Sequence, residues 1–493
     1  QRLTTLMLLL RAFYEKFGKM QDDNSKSTRK RISQCLWKTN EFGEADLNVL
    51  KIDSEVATDN DKDEFLNILK TGVVSKEQKS NYAKNYRFFQ DKIDGFLSEF
   101  PSYFAYLPAR ILGNCILLPI EAESQDTALR IFSTLNDRGL PLSDADIFKA
   151  QFYKHYSSKN EKESFIDEWK ELEDICNKIF NPINGTPMDE LFTRYMYFIR
   201  AKQGIKSSTT EALRKFYERG KYAILKKDET LTNLKTLANF WVDIYEQNNE
   251  RFSEINLKKL FVLNYAPNGM WNYFLSVYFL QNKDENCQLN QTNLEVFLTK
   301  ITAFTWAYSF TNPGVNALRT PVYAEMINVV NDREIHFSDF KFEENTLKTA
   351  IQNFEFKNGR PITKSMLAWW AFYKREQTLP ELNMSFQIEH IFSKKRQEND
   401  RTLENIKNLE SIGNKSLLED KINIRASDYR FIDKVKYYKG FVNDKGQEKH
   451  GTVITELLEL TVKPDFSEKN IEDRKNNIIN SFIEYLNENE LIK

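Results

Sequence analysis

Glycine and proline are scarce in this chain, sixteen and twelve in 493 residues, about half their usual combined share of roughly 12%. Few breakers leave room for long uninterrupted elements, which predicts helices. The four cysteines, Cys35, Cys115, Cys176 and Cys287, lie far apart with no C-x-x-C pair. That excludes a disulfide framework and a cysteine-based zinc site, and fits a reducing cytoplasm. No apolar run reaches the ~18–20 residues of a membrane span. The longest, from Leu3 to Phe13, is interrupted by Arg11 and lacks the charged leader of a signal peptide. No glycine-rich loop ending in Gly-Lys-Ser/Thr is present, which excludes a P-loop NTPase as far as motif goes. An excess of either charge is also missing. Lys and Arg total 70 against 71 Asp and Glu, so any nucleic acid must be met by local patches rather than a global field.

What is present is length and aromatic content. A chain of 493 residues predicts two or three packed units. It opens on Gln1 rather than Met, which predicts that the natural start lies upstream. Apolar residues at Leu3, Leu6, Met7, Leu10, Phe13, Tyr14 and Phe17 mark one helical face. The polar stretch 21–31 reads as a solvated loop or a helix start, 46–52 as a short strand, and 75–100 as helix. Residues 114–123 read as a buried strand. They are followed by a helix to about Leu135, a turn at Asn136–Gly139, and a second helix capped by Ser143 with Asp146 at the capping-box position. From about 160 to 380 the chain is a run of aromatic-rich amphipathic segments without a fixed period. Helix-bundle core explains those aromatics more simply than a base-stacking platform does. Residues 381–440 change texture, with a strand-like MSFQIEHIF, a charged loop and a helix. Residues 463–486 close the chain as an amphipathic helix capped by Asp465 or Ser467.

Histidine is rare, and only four positions carry it. His155 stands at a helix end, His336 in a charged loop and His450 in a polar one, each without a convergent partner nearby in sequence. His390 differs. It follows Glu389 directly at the end of an apolar strand, with Asn414 in a Gly-Asn turn and Asn423 nine positions further on. A carboxylate, an imidazole and two amides on a strand–loop–helix unit are parts suited to phosphodiester cleavage. The imidazole takes a proton near neutral pH. The carboxylate and an amide oxygen are hard donors for Mg²⁺ or Mn²⁺. Glu-His pairs are common, however, and a loop histidine paired with Glu389 is an equally simple reading of the spacing alone.

The segments FQIEHIF, SIGNKSLLEDKINIRAS and FIDKVKYYKG resemble the C-terminal HNH-type (His-Me finger) nuclease domain of GmrSD-like modification-dependent, type IV restriction enzymes. That resemblance implies His390 as general base, Glu389 and Asn423 as metal ligands, Asn414 as a brace for the loop orienting the histidine, and Lys434 facing phosphate. The chain departs from the family pattern at Ser393, where the family has proline, and at Lys415, where it has leucine. At the other end, QRLTTLMLLL is similar to the tail of the family's Asp-Gly-Gln-Gln-Arg motif in a ParB-like NTPase domain, and IFSTLNDRGLPLSDADIFKA to its second signature. This implies nucleotide (GTP or ATP) contacts from Gln1, Arg2, Phe132, Asn136, Arg138 and Gly139. A plain helix–turn–helix connection would use the same residues around Gly139.

The expectation is therefore a mainly α, multi-domain protein: the remainder of a ParB-like nucleotide-binding domain over 1–158, a helical connecting region over 159–380, and an HNH-type α+β unit with a closing helix over 381–493. Its implied function is metal-dependent cutting of DNA, modified DNA included, in a bacterial anti-phage system regulated by NTP. Its expected setting is the cytoplasm, with no membrane partner and room for a homo-oligomer. Residues 386–450 hold 14 Lys/Arg against 11 Asp/Glu, a small positive excess that permits DNA contact. The alternatives are a nuclease-inactive DNA-binding regulator and a helical interaction scaffold.

Overall fold

The computed structural model describes residues 2–52, 59–78, 80–103, 106–115, 143–314, 316–373 and 376–493. Its chain divides into two compact units, Gln1–Gly139 and Leu140–Lys493. Both are mainly helical, and the described strands form three two-stranded antiparallel pairs.

In the first unit the opening helix Arg2–Gly18 packs on Asp23–Leu36 and Asn81–Glu99. The polar stretch after residue 21 is a helix start: the Asp22 carboxylate accepts from the Ser25 amide at 2.9 Å, satisfying a free donor of the first turn. Phe13, Phe17, Ile32, Leu36, Trp37, Ile68, Leu69 and Tyr86 form the core. Arg11, the charge that breaks the opening apolar run, is buried there. Its Nε donates to the Leu69 carbonyl at 2.7 Å, and its guanidinium lies 5.1 and 5.7 Å from the rings of Tyr14 and Trp37. Glu15 pairs with its charge at 2.5 Å, so the buried cation is compensated. Strands β1 (Trp37–Thr39) and β2 (Ala45–Leu50) form a small antiparallel pair. The expected strand over 114–123 and the turn at Asn136–Gly139 lie, beyond Cys115, outside the described residues.

The second unit opens on the helix Asp144–Ser157. Ser143 and Asp146 form its capping box, as the sequence predicts. Thr186 and Asp189 form another ahead of Pro187–Lys202, where Pro187 takes the first helical turn. Asp189 also accepts from the Ala145 amide at 2.8 Å, tying the two helix starts together. The middle of the chain is a bundle whose helices Pro187–Lys202, Met270–Asn282, Gln291–Thr311 and Pro361–Phe372 bury most of their circumference. Aromatic residues fill it, with Phe240 stacked on Phe279 at 3.9 Å and Phe304 on Phe337 at 3.7 Å. They act as core, each burying ~150–250 Å². One apolar core runs without a break from Ala145 to Leu491.

The C-terminal part rests on that bundle. Strand β3 (Phe386–His390) pairs with β4 (Lys415–Glu419) in the register Glu389 opposite Ser416 and His390 opposite Lys415. The helix Asp420–Ala426 follows β4 directly and packs on both strands. The helix Phe431–Lys439 comes next, then the strand pair β5 (Gly440–Val442) and β6 (Glu448–His450). Ser467 caps the closing helix Glu468–Glu488 through a capping box with Asn470. Asp465 serves instead as the partner of Arg396, at 2.8 and 2.7 Å.

Candidate active site

Successive residues of a strand send their side chains to opposite faces, and β3 ends on two chemically useful neighbours. Glu389 is 3% exposed. Its Oε1 accepts from Lys434 Nζ at 2.7 Å and from the Tyr438 hydroxyl at 2.5 Å. Lys434 also donates to the His390 carbonyl at 2.7 Å. Lys434 and Tyr438, four apart on the helix Phe431–Lys439, thus present one face to one oxygen. Burial pushes the Glu389 carboxyl above its ordinary range, and the ammonium and hydroxyl pull against that. Both bonds converge on Oε1. Lys434, expected to face phosphate, is instead 1% exposed and committed to this pair.

His390 lies in a different setting. Its Nε2 is buried, makes no hydrogen bond, and sits 3.7 Å from Glu410 Oε1. Burial, then the positive charge of Lys415, hold the imidazole down at about 3, with Glu410 pulling the other way. Glu410 bridges two ammonium groups, Lys394 at 2.6 Å through Oε1 and Lys415 at 2.6 Å through Oε2. Burial raises its pKa, but the two lysines outweigh burial and bring it to about 2. Lys415 is fully enclosed, with Asn358 as its second partner at 2.6 Å. Lys394 is half in solvent and opens on a cleft of about 490 Å³ lined by Gln397, Arg401, Leu403 and Leu409.

Asn414 is completely buried. Its Oδ1 accepts from the Phe392 amide at 2.7 Å, and its Nδ2 donates to the carbonyls of Phe392 and Leu409 at 3.0 and 3.2 Å. The Ile391 amide donates to the Asn414 carbonyl at 2.9 Å. Asn414 therefore fixes the two residues that follow His390, Ile391 through its backbone carbonyl and Phe392 through its side chain. Asn423 is half-buried on the helix Asp420–Ala426, and its side chain makes no hydrogen bond among the described residues. The structure joins His390 to Asn414 through Phe392, and Glu389 to Lys434. It shows no bond between Asn423 and any of them.

Among the nucleotide candidates, Gln1, Phe132, Asn136, Arg138 and Gly139 lie outside the described residues, and Arg2 begins the first helix. The other three histidines are away from this cluster. His155 Nε2 lies 3.1 Å from Asp228, His336 is near Glu334 and Glu490, and His450 ends β6.

Sequence reasoning missed Glu410, Lys394, Lys415 as a charge and Tyr438. Tyr438 was findable, since its i, i+4 spacing from Lys434 places both on one helix face. Nothing local marks Glu410, which reaches His390 through a short 3₁₀ turn at 406–410.

Among the described residues no three His, Cys, Asp or Glu side chains converge as a metal cage. Glu389 and His390 are successive on β3 and meet different partners, Lys434 and Tyr438 on one side and Glu410 on the other, so the two expected metal donors, Glu389 and Asn423, are not brought together beside the imidazole. No helix among the described residues is long and apolar enough to cross a membrane.

No curated protein matches the chain. Residues 1–153 match the family model of the GmrSD restriction endonuclease N-terminal domain, and residues 341–481 that of the GmrSD restriction endonuclease C-terminal domain. The second match spans the whole of the His390 cluster. With both ends matching one family and a mainly helical fold between them, the chain belongs to the GmrSD-like restriction endonucleases, nuclease hydrolases of defence systems whose substrate is DNA.

Proposed function

We propose that the C-terminal part hydrolyses DNA phosphodiesters in an HNH-type site with His390 as general base, and that nucleotide bound by the N-terminal part controls the cut. The observation that carries this reading is the His390 Nε2, buried at a strand end beside a solvent-facing lysine yet spoken for by no hydrogen bond. In the proposed reaction a water oxygen attacks phosphorus, its proton passes to Nε2, the bond to the 3′-oxygen breaks, and that oxygen takes a proton from solvent. Held down at about 3, the free imidazole is neutral at pH 7 and open to a proton. A phosphate drawn to Lys394 would offset one of the charges that depress it, bringing it closer to the working pH of a base. Asn414 keeps the ring's backbone in place by holding Phe392 from both sides. Glu389 and Asn423 are the ligands that the family resemblance implies for Mg²⁺ or Mn²⁺, although Glu389 is engaged by Lys434 and Tyr438 in this structure. Such an ion supplies charge neutralisation at the scissile phosphate and the leaving oxygen.

The functional parts follow the boundaries 1–158, 159–380 and 381–493, although packing divides the chain at Gly139 and the core of the second unit is continuous. The match of residues 1–153 to the N-terminal domain supports a ParB-like nucleotide site there. The partners are DNA, modified DNA included, and GTP or ATP, in the cytoplasm, with a homo-oligomer allowed. A nuclease-inactive DNA-binding regulator is the second reading. It is favoured by the commitment of Glu389 Oε1 to Lys434 and Tyr438.

The test is cleavage of phage and plasmid DNA at neutral pH with Mg²⁺ or Mn²⁺ and with EDTA, wild type against His390→Ala. The proposal expects metal-dependent cutting that falls by about 10²–10⁴ in the variant. Equal cutting by both proteins removes His390 as the base, and no cutting by the wild type supports the second reading.

A further inference from the structure

The backbone around Asn414 is held from a direction the reaction does not use. Arg474 lies on the closing helix Glu468–Glu488, sixty residues away in sequence, and is 8% exposed. Its Nη1 donates to the carbonyls of Ile412, Gly413 and Lys415 at 3.0, 3.1 and 2.7 Å. These three carbonyls flank Asn414 on both sides. Its Nη2 makes two 2.9 Å bonds to Glu456, whose Oε1 also accepts from Ser416 on β4 at 2.6 Å. Only a planar fork of donors satisfies a carboxylate and three carbonyls together.

The helix also lies directly against the turn. A Cβ on Gly413 would stand 1.9 Å from the Ile471 carbonyl oxygen and 2.8 Å from the Lys475 nitrogen, so the backbones touch where no side chain fits. The far half of the helix is fixed in the bundle. Phe482 packs edge-on to Trp369 at 5.0 Å, and the Tyr485 hydroxyl donates to the Thr299 carbonyl at 2.9 Å. The helix therefore spans from the rigid bundle to the Asn414 turn.

We infer that Arg474 is a positioning residue of the DNA-cutting site. It fixes the turn that carries Asn414, Asn414 fixes Phe392, and His390 is thereby held, so the closing helix is a working part of the site. This rests on the nuclease reading above for its consequence in cutting, while the chain of hydrogen bonds can be tested without it.

The experiment uses the full chain with four substitutions: Arg474→Met, Arg474→Lys, Gly413→Ala and, as a control, Ile483→Ala, which weakens the same helix at its far end without touching the turn. Amide hydrogen exchange is read at Ile391, Phe392 and Asn414. Exchange there should quicken by about tenfold or more in Arg474→Met and Gly413→Ala, less in Arg474→Lys, and stay at the wild-type rate in Ile483→Ala. DNA cleavage should show kcat reduced roughly tenfold or more in Arg474→Met, since a small misplacement of a catalytic group is costly. KM should stay within about twofold. If Arg474→Met does not fold, Arg474→Lys and Gly413→Ala carry the same readings. Wild-type exchange at Phe392 in the Arg474 variants, or equal quickening in Ile483→Ala, overturns the inference. Quickened exchange in a protein whose wild type cuts no DNA overturns the nuclease reading and leaves the brace standing.

Discussion

Because His390 is held neutral in the fold, acid should weaken the protein through this one residue. In an unfolded chain the ring titrates near 6.5, and in the fold it is held at about 3 by burial and by Lys415. A folded-state pKa below the unfolded value means that the unfolded chain binds the proton first, so stability falls as pH drops through the window from 6.5 to 3. Between pH 7 and pH 5 the linkage integral gives a loss of about 2 kcal/mol from His390 alone. Glu410 has the opposite sign of charge, and its stabilising contribution, with the carboxyl at about 2, is lost only below its ordinary value near 4.5. It therefore adds little above pH 5. The perturbation is His390→Gln, and the assay is urea unfolding in EDTA at pH 7 and pH 5. Tryptophan fluorescence is the readout because six of the seven tryptophans lie in the second unit and only Trp37 in the first. The wild type should lose about 2 kcal/mol more than His390→Gln over this interval, with every other group cancelling in the comparison. Parallel losses in the two proteins would refute the reasoning, since they would mean the ring takes its proton in the fold as readily as in water.

Other outcomes follow from the same contacts. Lys434→Met strands the buried Glu389 carboxylate and should cost about 3–5 kcal/mol, the loss shrinking as pH falls and Glu389 takes up a proton; denaturation at pH 7 and pH 5 checks both parts. Asn414→Ala removes three side-chain bonds and leaves the Phe392 amide without its acceptor, for about 2–4 kcal/mol, read as a lowered unfolding midpoint. Lys394→Ala should leave stability within about 0.5 kcal/mol, because the residue is half in solvent, yet reduce DNA cleavage, which separates a phosphate-facing role from a structural one. Saturating GTP or ATP should raise the melting temperature of the protein; no shift with either contradicts a nucleotide site.

Much of the architecture could be read in advance, because helix signals are local. Scarce glycine and proline, the Ser143–Asp146 box, Ser467 as one of two cap candidates, and aromatic stripes at helical spacing correspond to the helices seen. His390 stood out through rarity and through the strand that ends on it. What stayed hidden depends on long-range meetings. Lys434 was expected to face phosphate, yet the helix Phe431–Lys439 turns it inward onto a carboxylate 45 residues earlier. Glu410 and Lys415 form a buried charge cluster with His390 only because β4 pairs beside β3 and the 3₁₀ turn folds back. Arg474 reads locally as one more charge on an amphipathic helix, and its four partners become visible only when the helix docks.

The role of His390 as a base is tested most directly by chemical rescue. His390→Gly should be almost inactive on DNA with Mn²⁺, and added imidazole should restore cutting in proportion to its neutral fraction as pH is raised. A glycine variant that cuts DNA as fast as the wild type, with imidazole making no difference, would contradict the account.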